Sequence, residues 1–108
     1  MVNSIEPKLI EKSILNGRIF FELNFNLIYN GESYEYDSIV IEYNKFNYSG
    51  VVDALVQYKY PIDKMQAVIN NYLLDPNDEY AISEFNAMQA WRKEAKEIAK
   101  EALTYGVS

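Results

Sequence analysis

At 108 residues, 49% apolar and 24% charged, the chain has the composition of an ordinary folded globule, long enough for one modest core and too short for two. A formal charge of −6 argues against binding nucleic acid or acidic partners, because a phosphate-binding surface needs clustered cations to displace counterions. With no cysteine and no histidine, disulfides, thiol nucleophiles, the usual zinc sites and the commonest general base are all excluded.

Residues 1–15 lack the apolar core of a signal peptide, and no apolar run approaches the roughly 20 residues of a membrane span, so the expected location is the cytoplasm or a particle assembled there. Lys8 to Leu15, Arg18 to Tyr29 and Tyr34 to Asn44 are rich in β-branched and aromatic residues, and Asn16-Gly17 and Asn30-Gly31 separate them. Asn-Gly favours a type I′ turn, whose two central residues need positive φ, so the pattern predicts a three-stranded antiparallel meander over 8–44. Two-residue turns would pair Ile14 with Ile19 and Lys12 with Phe21 in the first hairpin, and Leu27 with Tyr34, Phe25 with Tyr36 and Phe21 with Val40 in the second. One face then presents Ile10, Ile14, Ile19, Phe21, Leu23, Phe25, Leu27, Tyr34, Tyr36 and Val40 as a core wall.

The opposite face is unusual for a solvated one. It would carry Phe20, Ile39, Ile41 and Tyr43 beside Glu11, Glu22, Glu35 and Asp37, an apolar patch among carboxylates. Two readings stand side by side: the N-terminal arm or a helix of the chain covers the patch, or the patch is an interface with a second copy or another protein.

The second half, 49–105, reads as three helices in the same domain. Ser49 and Gly50 open a short one that Pro61 ends near Tyr60, and a second runs from Ile62 to Leu74. The third and longest, Pro76 to Leu103, takes Asp75 as its N-cap and buries a stripe of Ala81, Phe85, Met88, Trp91, Ala95, Ile98 and Ala102. Gly106 is placed to end it. Short connections predict that the second and third helices form an antiparallel hairpin bent at Asp75-Pro76. The fold class is therefore α+β, a meander packed on three C-terminal helices, with 1–108 as a single domain.

Few constellations carry chemistry. Asp75-Pro76-Asn77-Asp78-Glu79 opens like a calcium loop, but Tyr80 and Asn86 stand where that loop needs glycine and glutamate, so the stretch reads as a helix cap. Glu32, Glu35, Asp37 and Glu42 lack a partner that would split their pKa values, and Asn47-Tyr48-Ser49 matches a glycosylation acceptor on a chain expected not to be secreted. Arg92, Lys93, Lys96 and Lys100 are interleaved with Glu94, Glu97 and Glu101 and read as a salt-bridged solvent face. Trp91 reads as core, and Tyr58, Tyr60, Tyr72 and Tyr80 crowd the helix junctions, where they suit either an interface or the rim of a small core.

The helical half, ALVQYKYPIDKMQAVINNYLLDP followed by EFNAMQAWRKEAKEIAKEAL, resembles small accessory proteins encoded by phages and prophages of gut bacteria, with the Ala95-Lys96 and Ala99-Lys100 repeat in the terminal helix. The resemblance covers about 54–103 and implies a phage origin as a head, tail or assembly component, with no catalytic residue to carry over. Residues with AT-rich codons (Phe, Tyr, Met, Ile, Asn, Lys) number 48 against 17 for Gly, Ala, Arg and Pro, in keeping with an AT-rich genome. The expected function is a non-enzymatic phage structural or assembly protein. It would act through protein contacts or self-association at Phe20, Ile39, Ile41 and Tyr43, or at the long helix with Arg92 and Lys96. No cofactor, metal, nucleic acid, membrane or small-molecule substrate is expected. The main rival is an acidic anti-defence inhibitor mimicking nucleic acid, and a third class, a carboxylate-held magnesium hydrolase, rests on the carboxylates alone.

Overall fold

A computed structural model describes residues 2–106, with side chains through Thr104. The order is β1 (Val2–Asn3), β2 (Ile10–Leu15), β3 (Arg18–Tyr29), β4 (Tyr34–Glu42), a 3-10 turn (Tyr43–Lys45), α1 (Tyr48–Lys59), α2 (Ile62–Leu74) and α3 (Glu79–Gly106). The architecture is α+β as expected, but the antiparallel sheet has four strands in the order β1-β4-β3-β2. The extra strand is two residues long and pairs Val2 with Glu35 and Asn3 with Tyr34, too short to leave a periodic signal.

The first hairpin forms in the predicted register, Ile14 opposite Ile19 and Lys12 opposite Phe21. Asn16 and Gly17 have φ of 53° and 76°, as a type I′ turn demands. The second hairpin does not follow its Asn-Gly pair. Asn30 Oδ1 instead accepts the backbone N–H groups of Glu32 and Ser33 (3.0 and 2.9 Å), so that Asn30–Ser33 becomes a four-residue loop closed by Tyr29 opposite Tyr34.

A slip of two residues at the loop would have left every side chain on its predicted face. A bulge between Phe25 and Ile28 adds one more residue to β3, with Asn26 at φ 56°, and beyond it the parity of β4 is reversed. Phe21 now faces Ile41, Leu23 faces Ile39 and Phe25 faces Asp37. Ile41 is 3% exposed in the core and Ile39 packs against it, whereas Val40, predicted for the core wall, is 64% exposed.

Leu23, Phe25 and Ile41 meet Val51, Leu55 and Val56 of α1 and Trp91, Ala95, Ala99 and Ala102 of α3. Alanine at three consecutive inward positions of α3 lets the helix backbone approach its neighbours closely. Trp91 sits in this core as expected, its Nε1–H donating to the Leu55 carbonyl (2.9 Å). Asn47 caps α1 by accepting from Gly50 N–H (2.8 Å), and a Cβ on Gly50 would overlap the Lys45 carbonyl, so this approach requires glycine.

α2 occupies the predicted span, and α3 starts three residues later than predicted. Asp78, not Asp75, provides the cap: its Oδ1 accepts from Tyr80 N–H (3.1 Å) and its carbonyl from Ile82 N–H (3.0 Å). Asp75 ends α2, and its Oδ1 holds Asn77 N–H (3.2 Å), so proline and its neighbours turn the chain instead of opening the helix. The expected stripe of α3 is buried or half-buried, with Ala99 added to it, and α3 runs to Gly106, the last of the described residues.

Candidate interaction surfaces

The six residues predicted to form an interface do not converge. Ile39 and Ile41 are interior, on the helix-facing side, because of the bulge. Phe20 lies on the opposite side, half-buried opposite Glu42 and Ser13, so the outer face carries Phe20 and Val40 among Glu11, Glu22, Glu42 and Arg18. Tyr43 belongs to the 3-10 turn and stacks at 6.2 Å on Phe21, which in turn stacks at 4.2 Å on Phe46. The chain itself therefore covers Ile39 and Ile41, two of the four residues that defined the apolar patch.

Arg92 and Lys96 do come together. They line a shallow cavity of about 150 Å³ with Val52, Val56, Ile62 and Met65 where α1, α2 and α3 meet. Arg92 donates to Gln89 Oε1 (3.3 Å); among the described residues no ion pair forms along α3, and the ion pair found is Arg18 with Glu42, 3.9 Å apart on the outer sheet face. The predicted salt-bridged face of α3 is thus a solvated mixture of charges. At that spacing, exposed pairs gain little that would offset fixing two long side chains.

The bulge organises a second cluster. Positive φ at Asn26 turns its amide so that Nδ2 donates to Asp37 Oδ2 (2.9 Å), while Tyr58 Oη–H donates to Asp37 Oδ1 (3.1 Å). The Tyr58 ring meets Phe25 edge-on at 5.4 Å. Its phenol is pushed above the usual tyrosine range, first by the hydrogen bond to Asp37, then by desolvation and by the Asp37 charge. That arrangement ties α1 to the bulged strand. It also spends both oxygens of Asp37 on holding the fold.

A third surface is made by α2 and the first half of α3. The main core draws its α3 residues from Trp91 onward. Upstream of Trp91, α3 packs against α2 as the predicted antiparallel hairpin, with Tyr72 stacked on Phe85 at 4.3 Å and Val68, Ala81 and Met88 buried. The radius of gyration is 16.2 Å and the longest extent 48 Å, where a compact chain of this length would have a radius near ~13 Å. At its end, Leu73 is 69% exposed, Leu74 88% and Tyr80 70%, on either side of the Asp75–Asp78 turn. The Tyr80 hydroxyl is held by Glu84 Oε1 (3.0 Å), which raises that phenol's pKa, so the ring is fixed outward.

Sequence reasoning placed the candidate docking surface on the sheet or at the end of the long helix, without naming Leu73, Leu74 or Tyr80. A signal was present: Leu74 lies directly before Asp-Pro, off the apolar stripe of its helix, where burial inside the hairpin is geometrically excluded. The stretch Asp75–Glu79, read as a helix cap and not as a calcium loop, is a turn followed by the cap of α3, and Asn47 of the Asn47-Tyr48-Ser49 match is the cap of α1. Among the described residues, no helix is long and apolar enough to cross a membrane. Comparison with protein-family models, curated proteins and solved structures returns no match.

Proposed function

We propose that the chain is a non-enzymatic interaction protein, a structural or assembly accessory of a bacteriophage, that engages a protein partner through the free end of the α2–α3 arm. The observation that carries this reading is the exposure of Leu73, Leu74 and Tyr80 at one end of a projecting hairpin. Isolated exposed leucines are ordinary, but three large apolar side chains around one turn form a patch, and fully burying each contributes roughly 1.5–3 kcal/mol. The phage assignment is supported by the likeness of the helical half and by the AT-rich residue usage.

Incorporation into particles tests it. Phage particles assembled with the unaltered chain should contain it by mass spectrometry, and particles assembled with L73S/L74S should not, while the melting curves of the two purified chains coincide. Equal incorporation of both refutes the role of the arm. Absence of both from particles refutes the structural reading, and steep loss of partner binding with added salt would then favour mimicry of nucleic acid by the acidic surface.

A further inference from the structure

The bulge that reverses β4 also shapes the flank of the molecule. Between the stretch 6–9, the bulged part of β3 and one side of α3 lies an open groove of about 360 Å³. Its floor is apolar, made by Leu9, Phe25, Leu27 and Ile98. Its rim is acidic: Glu6 stands on one wall, Glu94 and Glu101 on the other. Among the described residues none of these three carboxylates makes an ion pair or a side-chain hydrogen bond, although the chain carries 10 lysines and arginines. The near wall is preset, because Asn24 donates from its backbone to Leu9 O (2.9 Å) and from Nδ2 to Lys8 O (2.8 Å). A partner would not have to order that wall on binding.

We propose that this groove receives an amphipathic basic helix of a partner protein, an apolar side chain on the floor and a lysine or arginine at each end of the contact. Charge complementarity decides the occupant. Glu94, Ile98 and Glu101 lie on one stripe of α3, and the carboxylates are separated by two helical turns, about 10 Å. That is too far for a single cation to serve both. Two cations separated by the same two turns, with a leucine-like side chain between them, match the rim and the floor at once, which is the helix-in-groove mode with charged flanks. The site is separate from the end of the arm and does not depend on what the arm binds.

The test uses the full chain and a fluorescent helical peptide of alanine and glutamine bearing Lys, Leu and Lys at the spacing of Glu94, Ile98 and Glu101. Saturable binding is expected, with amide shifts at Leu27 and Ile98 in the labelled protein. E94Q/E101Q should weaken it roughly fivefold, the order of two solvent-edge ion pairs. E97Q, a carboxylate of the same helix outside the groove, should leave it unchanged. The three positions are exposed, so the variants retain the fold and the comparison stays interpretable. The proposal is overturned by an absence of saturable binding, by E97Q weakening the peptide as much as E94Q/E101Q, or by a peptide with asparagine replacing leucine binding equally well. Spermidine competing as strongly as the peptide would also overturn it, since it would reduce the groove to a general cation trap.

Discussion

Substituting two neighbouring residues of β4 decides whether the bulge is real. Ile41 is 3% exposed and opposite Phe21, whereas Val40 is 64% exposed and opposite Glu22. Ile41→Ala removes three carbons from the core, about 2.4 kcal/mol of transfer free energy at about 0.8 kcal/mol per methylene. The cavity left behind adds to that, for a total of about 3 kcal/mol. Val40→Ala removes surface that water already reaches and lowers strand propensity only, so about 0.5 kcal/mol is expected. Unfolding a chain of 108 residues carries an entropy of about 0.23 kcal/mol/K, so the melting temperature should fall by about 13 °C for I41A and by about 2 °C for V40A. Urea titrations followed by far-UV circular dichroism give the same comparison as midpoints, with the slope unchanged. The register without a bulge makes the opposite forecast, with Val40 inside and Ile41 in solvent. If V40A is as costly as I41A, or costlier, the bulge and everything built on the reversed parity are refuted.

Three other perturbations probe the contacts around that register. Asn26→Ala should cost about 2–3 kcal/mol, combining a left-handed backbone without an amide and a lost bond to a carboxylate, and Asn26→Gly about 1 kcal/mol less; equal urea midpoints would show that φ at 26 is not positive. Trp91→Phe should cost about 1.5–2 kcal/mol for the Leu55 hydrogen bond and the Lys59 ammonium 4.4 Å above the ring centre, read by circular dichroism since the fluorophore is gone, and a cost under about 0.5 kcal/mol would contradict the packing. Tyr58 favours its protonated form when folded, so its contribution to stability is fully present below pH 10.0, the ordinary value, and is lost as pH rises through its raised folded pKa. In a Tyr80→Phe background, absorbance titration should show one late phenol that Asp37→Asn returns toward the ordinary range; an unchanged titration would remove the Asp37 contact.

The parts of the fold that the sequence made legible are those where one local rule has no competitor. Asn16-Gly17 had only two residues between two strands, so turn type and register came together, although Ile14, expected in the core wall, is exposed. Residues 62–74 and the stripe of α3 were legible because apolar spacing over several turns fits a helix and nothing else. Asn30-Gly31 was open to competition: the Asn30 side chain could satisfy two backbone donors of a longer loop, and that outcome prevailed. The bulge left a fainter trace, asparagine at 24 and 26 inside an otherwise β-favouring strand, one tolerant of positive φ and the other buried and bonded to a preceding carbonyl. Asp75-Pro76 was misjudged as a helix start because a proline suits both the first turn of a helix and a tight turn, and Asp78 supplied the better cap. The candidate sites divide in the same way. Glu94, Ile98 and Glu101 share a stripe that spacing alone reveals, but Leu9 reaches the same groove through its bond to Asn24 and Leu27 through the bulge.

The reversed parity also relocates the reason for expecting a partner. With Ile39 and Ile41 turned toward the helices, the patch expected on the sheet is broken up, and the apolar side chains the strands still expose, Ile14, Leu15, Ile28 and Val40 among them, are spread over both faces and the ends of the sheet. A second exposed set lies at the joined end of α2 and α3. α3 has 28 residues, but the sheet and α1 use it only from Trp91 onward, so its first three turns have α2 for a neighbour and solvent beyond. Two helices can bury one seam between them, which Val68, Ala81 and Met88 occupy, and the residues at their joined end have no third element to turn toward. Leu73, Leu74 and Tyr80 are therefore exposed by connectivity and not by a failure of packing. Among the described residues no element of the sheet or of α1 reaches that end, and this supports the docking role proposed for it.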